Sequence, residues 1–144
     1  MSALLSIEDF RLEFATFDGV AKVLDGINLA VAAQETVGIV GETGCGKSIT
    51  AKSVLRLVPS PPAHVRSGAI RFKGEDLLTY SEPEMRRVRG NEIAMIFQDP
   101  MSYLNPLFTV GQQLSDVIRA HAKVSGTPLD RAAVRARALE LLRQ

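Results

Sequence analysis

One short segment of the sequence has residue types and spacing that suit phosphate chemistry. In "GETGCGKS" at 41–48, Gly41, Gly46, Lys47 and Ser48 satisfy the pattern G-x-x-x-x-G-K-[ST]. Glycines let the backbone bend so that successive N–H groups point at phosphate oxygens, and a following helix adds the partial positive charge of its N-terminus. Lys47 is placed to meet the β- and γ-phosphates, and Ser48 offers a hydroxyl to Mg²⁺. The segment therefore predicts a site for a nucleoside triphosphate.

The elements predicted around this loop agree with that interpretation. The run "TVGIV" at 36–40 is apolar without alternation, which is typical of a strand covered on both faces in a parallel sheet. A helix is predicted from Lys47 to about Val58, where the prolines in "PSPP" end it. The loop thus lies between a strand and a helix, the context that the motif requires. The predicted nucleotide-binding residues are Gly41, Glu42, Thr43, Gly44, Cys45, Gly46, Lys47, Ser48 and Ile49.

A second stretch, "IFQDPMSYLNP" at 96–106, also breaks a hydrophobic run. The segment "EIAMIF" at 92–97 predicts a second buried strand, which ends on Gln98. A polar side chain at the C-terminal end of a parallel strand lies where ligands bind in open α/β sheets. Gln98 is therefore a candidate site residue, although many strands end on a glutamine that has no function.

The rest of the chain predicts a small antiparallel sheet and several helices. Residues 10–14 and 27–31 alternate apolar and polar side chains, as half-buried strands do. "GAIRFKGEDL" predicts a short strand and a turn, and Ser81 with Glu84 fits a capping box. A last helix is predicted to begin near Pro128 and to continue at Gln144, and its arginines form a solvated face.

A helix with one apolar face is predicted to follow Thr109, which fits a capping box with Gln112. Its apolar face carries Val110, Leu114, Val117, Ile118 and His121. His121 could be taken for a catalytic histidine, but its place on this face favours a packed or partly exposed side chain.

Composition excludes several classes of function. The chain has 144 residues, a net charge of +1 and 46% hydrophobic residues, which predicts one globular domain with no overall field for nucleic acid or an anionic membrane. A single cysteine, Cys45, excludes an internal disulfide framework and a cysteine-rich metal site. No apolar run approaches the roughly 20 residues needed to span a bilayer. We expect a cytosolic protein, or one attached to a membrane through other proteins.

The phrase "RRVRGNEIAMIFQDPMSYLNPLFTVGQQL" at 86–114 resembles the segment around the Q-loop in ATP-binding subunits of ABC transporters, most of all the dipeptide and oligopeptide importer group. "GIVGETGCGKS" is similar to that group's Walker A segment, with Thr43 and Cys45 where serine is typical. The resemblance implies an α/β fold with an incomplete P-loop NTPase (RecA-like) core. It places an antiparallel β subdomain at 1–35, the P-loop core at 36–98, and the Q-loop and start of an α-helical subdomain at 99–144.

The resemblance also implies roles for particular residues. Gln98 would reach toward Mg²⁺ and the attacking water, and would begin a loop that faces membrane subunits. Lys47 and Gln98 are then the catalytic candidates, and Ser48 and Gln98 the metal ligands. Members of the family carry an aromatic residue that stacks on adenine; Phe17 is the candidate here, and Phe14 is the competitor.

The function implied is that of an ATP-binding subunit, which binds ATP and Mg²⁺ and hydrolyses ATP in a head-to-tail dimer. Its partners would be a second nucleotide-binding subunit, permease subunits at the cytoplasmic face of the inner membrane and, indirectly, a substrate-binding protein, with no nucleic acid. The family's signature segment, Walker B Asp-Glu and switch histidine do not occur between Met1 and Gln144. We therefore expect the N-terminal part of a longer protein, inactive by itself.

Two other functions and several substrates stay open. The chain could be a non-catalytic nucleotide-binding fragment. It could also be a soluble P-loop kinase, which would leave residues 96–114 unexplained. Within the transporter interpretation, dipeptides, oligopeptides, nickel chelates and glutathione are all possible substrates.

Overall fold

The computed structural model describes residues 3–99 and 103–143, which belong to two compact units, 1–88 and 89–144. The first unit contains four strands and two helices: β1 (Leu5–Thr16), β2 (Gly19–Val31), α1 (Lys47–Val54), β3 (Ala63–Phe72), β4 (Glu75–Asp76) and α2 (Glu82–Val88). The second unit contains the helices α3 (Val110–Val124) and α4 (Arg131–Leu141).

The sheet of the first unit is antiparallel, with the strand order β2-β1-β3-β4. β1 and β2 form a hairpin that places Leu12 opposite Leu24 and closes between Thr16 and Gly19. The strands and the antiparallel sheet predicted from the alternation at 10–14 and 27–31 are confirmed, and both strands are longer than those segments. The sheet is larger than predicted, because the segment expected to form a short strand and a turn begins its strand at Ala63 and pairs with β1.

Gly68 permits an irregularity in the antiparallel pairing of β1 and β3. The pairing of the two strands shifts register between Glu8 and Arg11. A Cβ atom on Gly68, whose φ is +96°, would lie 2.5 Å from Cα of Phe10 and 2.6 Å from the carbonyl oxygens of Glu8 and Asp9. Only glycine fits this close approach of two backbones. The neighbouring Phe10 is among the most deeply buried side chains of the unit.

The buried side chains of the first unit come from the sheet, from both helices and from the segments between them. They are almost all aliphatic or aromatic, so their burial supplies most of the drive to fold. The buried apolar residues are Ile7, Phe10, Leu12, Leu24, Val54, Leu55, Ala63, Ile70, Phe72, Leu77, Met85 and Val88.

The two parallel strands predicted at 36–40 and 92–97 are not present in the described part of the chain, so this prediction was wrong. Residues 36–40 belong to no strand, and Val40 is 93% exposed. Ile96 is 91% exposed, and Ile93 makes an isolated bridge to Arg89. A segment forms a β-strand when its backbone is hydrogen-bonded to a neighbouring strand. No strand within residues 3–99 and 103–143 pairs with either segment.

Two helix boundaries also differ from the predictions. α1 ends at Val54 because Arg56 takes a left-handed conformation and the N–H of Leu57 turns back to the carbonyl of Lys52. α4 begins at Arg131, since the carboxylate of Asp130 caps it by accepting from the N–H of Ala133. It ends at Leu141 instead of continuing to Gln144, which lies outside the described residues.

The second unit has a small core between its two helices. Ile118 of α3 packs with Val134 and Ala138 of α4, and Leu114 lies partly buried against them. The reciprocal capping box of Thr109 and Gln112 is confirmed. The apolar face predicted for α3 is buried only in part, since Val110 and Val117 are exposed. The predicted solvated face of the last helix is confirmed, because Arg131, Arg135 and Arg137 of α4 are exposed. Arg143, just after the helix, is exposed as well.

Candidate phosphate-binding site

The loop at 41–48 ends on the first turn of α1. Gly46 is the N-cap residue, with φ +93°, and no side chain caps the helix. Both the N–H and the hydroxyl of Thr50 donate to the carbonyl of Gly46, at 2.8 and 3.0 Å. These bonds fix the first turn, while the amides that open the helix have no side-chain acceptor of their own. An anion is the natural partner for such amides.

The ammonium group of Lys47 is held over this loop. Its Nζ donates to the carbonyl of Gly41 at 2.6 Å and to the carbonyl of Glu42 at 2.7 Å, and it lies 3.4 Å from Sγ of Cys45. The side chain therefore folds back across the loop that precedes its own helix. This arrangement keeps one positive charge beside the amides, where a phosphate oxygen would meet both.

Two glycines are required by the shape of the loop. A Cβ atom on Gly46 would lie 2.7 Å from Cδ2 of Leu24, which is 2% exposed in β2. A Cβ atom on Gly41 would lie 2.6 Å from Sγ of Cys45. The first contact seats the start of α1 against the sheet, and the second lets the loop close on itself. Residue spacing does not show that Leu24 supports the loop, because the contact joins residues far apart in the chain.

The residues predicted at 41–49 form a loop that ends at Gly46 and the first turn of α1. Glu42, Thr43 and Gly44 are exposed, and Ile49 is half-buried. Ser48 is exposed at the second position of α1. Its hydroxyl is a hard oxygen ligand of the kind that Mg²⁺ prefers. The loop, its lysine and this hydroxyl thus fit a magnesium–phosphate group.

Cys45, Lys47 and Thr50 help to line a small cavity of about 170 Å³. Its walls are mainly aliphatic, with Ile27 and Leu29 of β2 on one side and Ile39 and Val40 on another. A triphosphate needs donors and positive charge, so we place the phosphate site on the outer surface of the loop and not in this cavity.

The two candidate aromatic residues differ in their surroundings. Phe17 lies in the turn of the β1–β2 hairpin, and its side chain is fully exposed. Phe14 lies within β1 opposite Ala21 and is half-buried. An exposed ring is free to stack on a base, whereas a half-buried ring already has neighbours. The geometry favours Phe17, whose role stays a prediction.

Gln98 belongs to the second unit. It follows Phe97, whose ring stacks on that of Tyr103 with the centroids 4.7 Å apart and the planes at 27°. Gln98 and Asp99 are exposed, and the next three residues lie outside the described part. Sequence reasoning missed Tyr103, because an aromatic residue in a loop is not periodic and its stacking partner cannot be read from spacing.

The comparison with known families decides the identity of the fold. The family model described as ABC transporter matches residues 24–144. The chain belongs to the ABC transporter family. The match confirms that the fold is that of a P-loop NTPase; within it, the described residues form a small α/β structure with an antiparallel sheet and helices.

Relatives within the ABC transporter family support the same assignment. The chain is 48% identical to the "Probable peptide ABC transporter ATP-binding protein" of Sinorhizobium fredii over 97% of its length. It is 43% identical to the oligopeptide transport ATP-binding protein OppD of Bacillus subtilis over 99% of its length, and 44% identical to that organism's dipeptide transport ATP-binding protein DppD over 87%. The chain spans 37–40% of the length of these relatives, about two-fifths.

Two further observations on this ABC family chain concern membrane-spanning helices and His121. Among the described residues, no helix has the length and the apolar character to cross a bilayer. His121 lies in the second unit, where its ring would meet a Cβ atom on Gly90 at 3.3 Å. It is half-buried, which confirms the expectation of a packed or partly exposed histidine.

Proposed function

We propose that this chain binds MgATP on the loop 41–48, as part of an ATP-binding subunit that energises the import of peptides. The observation that carries the proposal is the ammonium group of Lys47, held at 2.6 and 2.7 Å from two carbonyl oxygens of a glycine-rich loop at the start of a helix. Membership of the ABC transporter family supports ATP as the ligand. The relatives named for oligopeptide and dipeptide transport support peptides as the cargo.

Each residue of the loop has a distinct part in this proposal. Lys47 exchanges its bonds to the Gly41 and Glu42 carbonyls for stronger charge-assisted bonds to the β- and γ-phosphates. Backbone amides of the loop and of the first turn of α1 donate to phosphate oxygens. Ser48 offers its hydroxyl to Mg²⁺, and the exposed ring of Phe17 stacks on adenine. Bound ATP supplies the phosphoanhydride bond whose hydrolysis powers transport.

Gln98 has the second part of the proposal. Its carboxamide would orient the attacking water and contribute an oxygen to Mg²⁺. It also precedes a loop that exposes Tyr103, Leu104, Leu107 and Phe108. Contiguous exposed apolar side chains of this kind suit a protein partner, and we assign them to contact with permease subunits at the cytoplasmic face of the inner membrane. The remaining partners are a second nucleotide-binding subunit and, indirectly, a substrate-binding protein.

Calorimetric titration with MgATP tests the proposal. Lys47→Ala should lower the affinity for MgATP and MgADP at least tenfold while leaving the thermal midpoint of unfolding almost unchanged, because the ammonium group lies on the surface of the loop. Lys52→Ala is the matched control, since it removes the same side chain from the last turn of the same helix. Equal affinity for the wild type and Lys47→Ala would contradict the assignment.

A further inference from the structure

The side chain of Gln113, in the first turns of α3, holds the loop that precedes that helix. Its Nε2 donates to the carbonyls of Asn105 and Phe108, both at 3.0 Å, and its Oε1 accepts from the N–H of Asn105 at 3.0 Å. One amide group therefore satisfies three backbone groups of the loop. A carboxamide can do this because it carries both donors and an acceptor.

The loop itself is compact between these anchor points. The side chain of Asn105 accepts from the N–H of Leu107 at 2.9 Å, and its carbonyl accepts from the N–H of Phe108 at 3.2 Å. Residues 105–108 thus form a turn whose position relative to α3 is set by Gln113. Tyr103 lies two residues before this turn.

The stack of Tyr103 on Phe97 continues the connection to Gln98. Phe97 and Tyr103 are six residues apart, a distance of about 20 Å in an extended chain. Their ring centroids lie only 4.7 Å apart, so the chain folds back between them. Gln98 directly follows Phe97, so the ring stack restrains the backbone that leads into Gln98. Hydrogen bonds thus join Gln113 to the 105–108 turn, and the ring stack joins Tyr103 to Phe97. The backbone connects the turn to Tyr103 and connects Phe97 to Gln98.

We infer that Gln113 is a positioning residue for Gln98, acting through the Asn105 turn and the Tyr103–Phe97 stack. The inference rests on the proposed function, which gives Gln98 its role toward Mg²⁺ and water. Its consequence is that the loop exposed to a partner and the residue proposed for hydrolysis move together. A displacement of residues 103–108 would change the position of Gln98 through the ring stack.

Gln113→Glu tests this connection with almost no change in shape. The substitution keeps the acceptor but replaces the two donated bonds with repulsion between a carboxylate and two carbonyls. Gln112→Glu is the matched control one residue earlier. The Gln112 side chain only accepts, from the N–H and hydroxyl of Thr109, so glutamate preserves its bonds. The two variants add the same charge to the same helical turn.

The measurement is NMR of the whole 144-residue chain, labelled with 3-fluorotyrosine. The chain contains two tyrosines, Tyr80 and Tyr103. Tyr80→Phe assigns the Tyr103 signal. In Gln113→Glu we expect a shifted ¹⁹F resonance of Tyr103 and a fall of the Gln98 amide order parameter toward the flexible range below about 0.6. Gln112→Glu should leave both unchanged. A Gln113→Glu protein with a loosened 105–108 turn but unchanged Tyr103 and Gln98 signals would overturn the inference.

A second pair of variants covers the case in which Gln113→Glu does not fold. Tyr103→Ala breaks the ring stack and should lower the Gln98 order parameter, whereas Tyr103→Phe keeps the stack and should restore it. An unchanged Gln98 in Tyr103→Ala would also overturn the inference. None of these measurements needs nucleotide. A failure to bind MgATP would therefore contradict the proposed function without affecting the test of Gln113.

Discussion

Nζ of Lys47 donates a hydrogen bond to the carbonyl oxygen of Gly41, 2.6 Å away, so the lysine closes the loop that it belongs to. The same nitrogen lies 3.4 Å from Sγ of Cys45, and that sulfur occupies the space where a side chain on Gly41 would begin. Three residues of the loop therefore pack against one another: Gly41, Cys45 and Lys47. A change in any of them changes the space left for phosphate.

Gly41→Ala should weaken MgATP binding roughly tenfold or more, since its Cβ would lie 2.6 Å from Sγ of Cys45 and displace the loop. Adding Cys45→Ala removes the sulfur and should restore much of the lost affinity. Gly44→Ala, at φ +91° with no atom within 4 Å, reports the cost of backbone strain alone. A double variant no better than Gly41→Ala in calorimetry would contradict the packing described here.

Gly68→Ala should strongly destabilise the first unit. The new methyl group would meet three backbone atoms at 2.5–2.6 Å, and backbone cannot move aside as a flexible side chain can. We expect a loss of at least about 4 kcal/mol in urea denaturation. Gly74→Ala has a similar φ, +88°, and open space around it, so it should cost only about 1–2 kcal/mol. Similar losses for both variants would show that the two strands do not approach closely at Gly68.

The capping carboxylate of α2 makes the stability of the first unit depend on pH. The pKa of Glu84 lies below its ordinary value of 4.5 because the hydroxyl of Ser81, and then the N–H of Ser81, donate to it. A depressed pKa in the folded state contributes stability above pH 4.5, and that stability is lost as the pH falls through the folded pKa.

Carboxyl ¹³C NMR should show Glu84 titrating below pH 4.5, and Ser81→Ala should raise its pKa toward the ordinary value. Glu84→Gln should lower the thermal midpoint at pH 7 and flatten its fall at acid pH. An unchanged Glu84 titration in Ser81→Ala would show that the cap does not form.

We expect that the chain by itself does not hydrolyse ATP at the rate of a transporter. In the proposed mechanism the general base and the signature segment come from sequence that has no counterpart between Met1 and Gln144. Loss of a positioned general base costs about 10² to 10⁴ in rate, and loss of preorganised charge stabilisation costs a comparable factor. Steady-state turnover near one per second, abolished in Lys47→Ala, would contradict this expectation.

Features that depend on neighbours in sequence could be predicted. The Thr109–Gln112 cap spans three residues, and the alternation at 10–14 and 27–31 lies within single strands, so local spacing was enough for both. The loop residues from Gly41 to Ser48 were found in the same way. Their conformational needs are local, since glycine permits backbone angles that other residues avoid.

Features that depend on distant partners could not be predicted. Residues 36–40 have the composition of a buried strand, but a strand also needs a paired backbone, which composition cannot supply. Leu24 beneath Gly46, and Gln113 across the 105–108 turn, act through contacts that no periodic pattern records. The reasoning from spacing therefore located the candidate phosphate site but not the residues that support it.

The central claim is that the phosphates of MgATP lie on the loop 41–48, and alkylation of Cys45 tests it most directly. Cys45 is exposed and is the single cysteine of the sequence, so a small maleimide reports on this loop alone. MgATP at ten times its calorimetric Kd should slow alkylation roughly tenfold, because about one site in ten stays free. Adenosine, which lacks phosphates, should not slow it, and Lys47→Ala should remove the protection. Equal rates for the wild-type protein with and without saturating MgATP would contradict the claim.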